Sequence, residues 1–324
     1  MVKIKRKPGR ILRRGIFLMV GCLLVLLLLG MGALLWNLWR DPLSALDRSA
    51  TGLRVVHSVS YPVQLLHERR VFRDVVLAAP ELDTIRITLS RPQQSDTLLP
   101  VILVLGGLEV GRQSLYYIPD HGNNIVVAYE YPYSPYYWYE GTPLTEVPVI
   151  RRAALRVPAQ VLAVWEWLQN YPLADSSRMT LTGYSFGAMF VPAIYHLGLQ
   201  RGLRFGPTVI VYGGTQIYGL LRHNMVFLKE PLRSVAAFLA AQAVRPLEPS
   251  LHLKALKGRF LLVNGLFDQL VPRWSWMPLQ REIPGQKTIL NLPEFHMHPD
   301  NPALTRKLVS ISRKWLLEQG RINP

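Results

Sequence analysis

Met179-Thr180-Leu181-Thr182-Gly183-Tyr184-Ser185-Phe186-Gly187 decides how this chain is read. A short apolar run leads into Gly-x-Ser-x-Gly, and the apolar stretch after Ser185 has the composition of a helix. That context, strand then sharp turn then helix, presents a serine hydroxyl at the carboxyl end of a strand. Glycine is required on both sides because the turn strains the backbone at the serine and brings strand and helix too close for a side chain. Pro192 lies inside the expected helix and predicts a kink.

Working outward, short β-like runs alternate with longer helical ones. Strands are expected at Thr84 to Ser90, Val101 to Leu105, Ile125 to Tyr129, Met179 to Thr182, Thr208 to Tyr212, Arg259 to Val263 and Thr288 to Leu292. Helices are expected over Pro158 to Asn170, after Ser185 and over Leu304 to Gln319, where Leu308, Ile311, Trp315 and Leu316 form a stripe of helical period. The strands read as continuous Val, Ile and Leu runs, which suits a mostly parallel sheet covered on both faces. The fold class is therefore α/β. Residues 214–256, with Val235-Ala-Ala-Phe-Leu-Ala-Ala between Pro231 and Pro246, break the alternation and read as a helical, lid-like insert.

A serine needs a base to activate it, and the base needs an acid to fix its tautomer. In this architecture the order along the chain is serine, acid, histidine. Asp268 follows an apolar strand in Phe260-Leu-Leu-Val-Asn-Gly-Leu-Phe-Asp268, a setting that the other acids after Ser185 lack. Six of the eight histidines precede Asp268, which leaves His296 and His298 in Leu292-Pro-Glu-Phe-His-Met-His-Pro299. His296 is the preferred base because it is nearer the strand end and His298 is restricted by Pro299. Backbone donors for an oxyanion are expected at Phe186, after the nucleophile, and at Gly107 or, second, Leu108 in Leu105-Gly106-Gly107-Leu108-Glu109-Val110-Gly111. The aromatic stretch Tyr129 to Tyr139 suits an acyl or sugar-like substrate as well as a structural cap. Tyr136 and Trp138 in it, with Tyr184 and Leu108, are the candidate substrate contacts.

Together, Leu105-Gly106-Gly107, Gly183-Tyr-Ser-Phe-Gly187, Asp268 before Val271-Pro272, and His296 resemble the α/β-hydrolase superfamily over roughly residues 80 to 320, most of all its dienelactone-hydrolase and prolyl-oligopeptidase-like branch. Gly107-Leu108-Glu109 with Arg112-Gln113-Ser114 is also similar to the bile-acid acyltransferase and acyl-CoA thioesterase group. Leu105 departs from the pattern, since many members have His before the oxyanion glycine, and Ser185 replaces that group's frequent Cys. The resemblance implies a serine hydrolase acting on a carboxylic ester or thioester, with a peptidase, an acyltransferase or a catalytically silent binding module as alternatives.

Composition bounds the rest. With 49% hydrophobic residues and one cysteine, Cys22, the 324-residue chain is neither disordered nor a disulfide scaffold. No metal site, cofactor motif or nucleic-acid surface is expected. The partners expected are a small-molecule or lipid-like ester and a membrane. Of the 37 Lys and Arg, eight lie in residues 1–40 with no acid among them, leaving 29 basic against 21 acidic residues beyond. Seven of those eight precede Ile16–Trp39, which is uncharged and ends in Trp36 and Trp39, as a membrane span with a cytoplasmic N-terminus does. A cleaved signal would have a shorter apolar core and a small-residue cleavage site. The domains expected are a basic cytoplasmic N-terminus at 1–15, a signal anchor at 16–39, a linker at 40–60 and the hydrolase domain at 61–324, lying outside the cytoplasm at the inner membrane and periplasmic in a Gram-negative cell.

Overall fold

A computed structural model describes residues 8–65, 68–134 and 143–324. The chain forms two units, Met1–Asp41 and Pro42–Pro324. The first is one helix, α1 (Pro8–Trp39). Its segment Ile16–Trp39 is long and apolar enough to cross a membrane. At a rise of 1.5 Å per residue, 24 residues make about 36 Å. Its length, composition and place near the N-terminus match those of a membrane anchor or a signal sequence.

The second unit begins with α2 (Pro42–Leu46), whose Leu43 and Leu46 are buried. It continues into β1 (Arg54–Gln64) and β2 (Arg69–Ala79). The linker expected over residues 40–60 is therefore corrected to a core-packed turn of helix and the start of a strand. Leu43 and Leu46, three apart, share one helical face and bury together, and a pair so short has no visible period in the sequence.

The remaining strands are β3 (Asp83–Pro92), β4 (Leu99–Leu105), β5 (Ile125–Glu130), β6 (Ala174–Tyr184), β7 (Thr208–Val211), β8 (Arg259–Gly265) and β9 (Gln286–Leu292). They form one sheet in the order β1-β2-β3-β5-β4-β6-β7-β8-β9. Pairing is antiparallel from β1 through β3 to β5 and parallel from β5 to β9. Successive strand residues feed opposite faces. Leu103 and Leu105 of β4, Leu181 of β6 and Leu262 of β8 enter one core with α3 (Pro143–Gln169) and α4 (Phe186–Gln200). Val104, Tyr184, Leu261 and Val263 enter the other with α8 (Pro302–Glu318).

Helix α3 starts well before the expected Pro158 and runs through Pro148 and Pro158, while α4 runs through Pro192. The insert holds α5 (Ile217–Asn224), α6 (Leu232–Ala243) and short 3-10 turns over residues 245–255. Helix α7 (Arg273–Glu282) links β8 to β9. The parallel strands β6, β8 and β9 end on the same edge of the sheet, the edge where open α/β sheets bind ligands.

Candidate active site

Strand β6 ends at Tyr184 and α4 begins at Phe186, so Ser185 alone makes the turn. It does so at φ 51°, ψ −115°, outside the regions that side chains prefer. The strain is held by packing. A Cβ on Gly183 would stand 2.5 Å from the Val191 side chain and 2.9 Å from Ala188 Cα, and one on Gly187 would stand 2.2 Å from the Leu105 carbonyl oxygen. The Ser185 N–H donates to the Val211 carbonyl at 2.8 Å, pinning the turn to β7.

Two loops converge on that turn. From the loop after β9, His296 Nε2 lies 2.7 Å from Ser185 Oγ, and its Nδ1 lies 2.7 Å from Asp268 Oδ2 in the loop after β8. The Asp268 side chain is fully buried, and its Oδ1 accepts the N–H groups of Leu270 and Val271 at 2.8 Å each. Both carboxylate oxygens are thus committed, which fixes the face offered to the imidazole. His298 stands apart from this chain. It is exposed, lies 3.3 Å from the Asp300 carboxylate and accepts the Asp300 N–H at 3.2 Å.

Sequence reading missed Tyr212. It directly follows β7 at φ 57°, lies edge-on to the His296 ring at 5.1 Å, and donates its hydroxyl to the Phe295 carbonyl at 2.8 Å. Burial, with the Asp268 and Glu294 charges nearby, pushes its phenol well above the ordinary value, so it remains a donor. Main-chain bonds from Leu266 N–H to the Leu292 carbonyl (2.7 Å) and from Phe267 N–H to the Glu294 carbonyl (3.1 Å) lash the acid loop to the histidine loop.

The loop after β4 lies against the start of α4. A Cβ on Gly187 would also meet the Gly106 carbonyl, and that carbonyl accepts the buried Tyr131 hydroxyl at 2.6 Å. Tyr131 packs edge-on to Phe186 with ring centres 5.1 Å apart. A Cβ on Gly107 would meet nothing closer than 3.8 Å, and Leu108 is half-buried in the turn that follows. Gly111, at φ 40°, leaves room for Glu130, which holds Arg112 at 3.1 Å.

Tyr184 corrects the expectation that it contacts substrate. Strand alternation turns it away from Ser185 into the α8 core, where it bonds Ser312, and burial raises its phenol to about 12. Tyr136 and Trp138 lie outside the described residues. Among the described residues, no group of three or more His, Cys, Asp or Glu side chains could hold a metal ion.

Residues 150–300 match the prolyl oligopeptidase family. No curated protein matches the chain by sequence. Among solved structures, acetyl xylan esterase 1 from Thermoanaerobacterium sp. JW/SL YS485 is 14% identical, with a TM-score of 0.58 over 84% of this chain and 92% of that one. The acetyl xylan esterase from Paenibacillus sp. R4 is 16% identical, with a TM-score of 0.59 over 85% and 94%. The Pyrococcus horikoshii acylaminoacyl peptidase is 13% identical, with a TM-score of 0.52 over 81% of this chain but 41% of that one. The chain has the α/β-hydrolase fold. The stretch 150–300 that matches the prolyl oligopeptidase family holds Ser185, Asp268 and His296.

Proposed function

We propose that this protein is a membrane-anchored serine hydrolase that cleaves a carboxylic ester or thioester through an acyl-enzyme. The observation that carries the reading is the unbroken hydrogen-bonded chain from Asp268 through His296 to a strained Ser185. Ser185 Oγ attacks the acyl carbon as His296 Nε2 takes its proton, while Asp268 holds the imidazole in the tautomer that leaves Nε2 free to accept. The tetrahedral oxyanion is held by the N–H of Phe186, at the positive end of α4, and by that of Gly107. His296 returns the proton to the departing alcohol or thiol. Water then repeats the sequence on the acyl-Ser185 ester and releases the acid. Tyr212 acts as a positioning residue for His296.

Ester is preferred to peptide because this chain spans nearly the whole of two proteins named acetyl xylan esterases and only 41% of the acylaminoacyl peptidase. Leu108 lines the substrate side in this reading. The anchor is Ile16–Trp39, with residues 1–15 cytoplasmic and the catalytic unit outside. The test has two arms. A fluorophosphonate should label Ser185 in the wild type and leave Ser185→Ala unlabelled, and nitrophenyl esters of increasing chain length should be turned over well ahead of an aminoacyl amide. A folded wild-type protein that takes no label overturns the hydrolase reading, and amide turnover exceeding ester turnover makes the protein a peptidase.

A further inference from the structure

Helix α6 is packed inside out for a helix in water. Its small residues Ala237 and Ala241 are buried, while Leu232, Val235, Phe238 and Leu239 are exposed. The turn joining α5 to α6 exposes Val226 and Phe227 at 72% each. Exposed apolar side chains taken singly are ordinary, but a helix that buries its alanines and presents its large residues marks a surface made for an apolar partner.

Three further observations identify that partner. Only Arg40 and Asp41 separate the apolar span from Pro42, so the folded body begins within about 11 Å of the span's end, three Cα steps away. Helix α2, where the body begins, packs against the 3-10 turn Arg245–Leu247, directly after α6. The inverted helix thus stands on the part of the body where the chain leaves the span. Between residues 217 and 245 the arm carries Arg222, Lys229, Arg233 and Arg245 against one acid, Glu230, a balance that favours anionic headgroups.

The same surface reaches the site. At the end of α5, His223 Nε2 bonds the Gln269 carbonyl at 2.8 Å and Asn224 donates to that of Leu270 at 2.9 Å, in the loop that bears Asp268 and exposes Leu266, Phe267 and Leu270. Phe267 pairs with exposed Phe295, next to His296, at 5.9 Å between ring centres. We infer that the α5–α6 arm docks into an anionic membrane leaflet, with the Phe267–Phe295 rim at the lipid surface, so that the substrate is an ester drawn from the bilayer. The inference rests on the anchored-hydrolase reading and adds the source of the substrate.

The full chain is placed, one copy per disc, in nanodiscs of phosphatidylglycerol and phosphatidylethanolamine. An environment-sensitive nitrobenzoxadiazole is attached at Phe227→Cys, or at Lys314→Cys on α8 as the control, both with Cys22→Ser. Docking predicts blue-shifted emission at 227, quenched about threefold or more by spin-labelled lipid, and water-like emission at 314. Phe227→Asp with Leu239→Asp should lower kcat/KM for a long-chain nitrophenyl ester dissolved in the bilayer about 10-fold and leave soluble nitrophenyl acetate unchanged. Water-like emission at 227, or equal turnover of the bilayer ester by the double variant, overturns the docking. Shielding at 227 that appears only with two or more copies per disc assigns the surface to self-association and also overturns it. Loss of acetate turnover in Ser185→Ala with the wild type active keeps the hydrolase reading standing whichever way the docking falls, and a chain that fails to incorporate removes anchor and docking together.

Discussion

Tyr212 shows how the site depends on a residue with no motif of its own. Its position at the end of a Val-Ile-Val strand is plain in the sequence, but its hydroxyl acts on Phe295, 83 residues away, and only the meeting of two loops reveals that. Tyr212→Phe keeps the ring against His296 and removes one hydrogen bond, worth about 1 kcal/mol, so kcat is expected to fall about 5-fold with KM nearly unchanged and ester-bound label intact. An unchanged kcat would reduce Tyr212 to packing. The two histidines are the opposite case, since the ordering rule reduced eight candidates to His296 and His298 but could not say which one turns toward Ser185. Side-chain direction in a loop is set by its tertiary partners: Asp268 takes His296, and Asp300 takes His298. His296→Ala should lower kcat by about 10⁴ or more, as removal of a triad member does, whereas His298→Ala should cost about 10-fold or less. Steady-state kinetics on a nitrophenyl ester decides, and the reverse ranking would exchange the two roles.

Strands buried on both faces, such as β4, β7 and β8, were legible because they are uninterrupted apolar runs, and all seven expected strands are present, although β6 starts five residues earlier than expected and the edge strand β9 is largely exposed. The β1–β2 hairpin was not legible. Strand β1 is exposed along most of its length, and β2 opens with Arg69-Arg70. Arg70 is nevertheless buried, bonded to Ser90 and to the Gly122 and Asn124 carbonyls. A buried arginine is invisible to a pattern built on apolar residues. The turn between β6 and α4 was legible in full, because the sequence constraint and the steric constraint coincide there. Gly187→Ala would drive a methyl group into the Leu105 carbonyl and should destabilise the fold by about 2–3 kcal/mol or more, read as a clear fall in the thermal midpoint of the catalytic unit. Gly107→Ala, with 3.8 Å of clearance, should leave that midpoint nearly unchanged. Equal losses at the two positions would contradict the packing described for the elbow.

At the scale of the whole chain, charge and hydropathy divide the protein more sharply than any loop does. Seven basic residues stand before Ile16, an uncharged helix follows, and the folded unit starts two residues after it. Positive charge next to an apolar span is retained in the cytoplasm because its transfer is opposed by the membrane potential and by anionic lipid. On the anchored reading the folded unit is expected on the far side, and a cytoplasmic body would require Arg40 to outweigh seven N-terminal charges. A phosphatase reporter that folds only after export, fused behind Pro324, is therefore expected to be active, and the same reporter held in the cytoplasm by deletion of residues 16–39 is expected to be silent. Activity from a reporter that works only in the cytoplasm would reverse the orientation. The full-length fusion should also stay with the membrane after carbonate extraction. Release of a soluble species starting near residue 45 would convert the anchor into a cleaved signal, and it would have to break the chain beside the buried Leu43 and Leu46 to do so, stripping α2 from the core it completes.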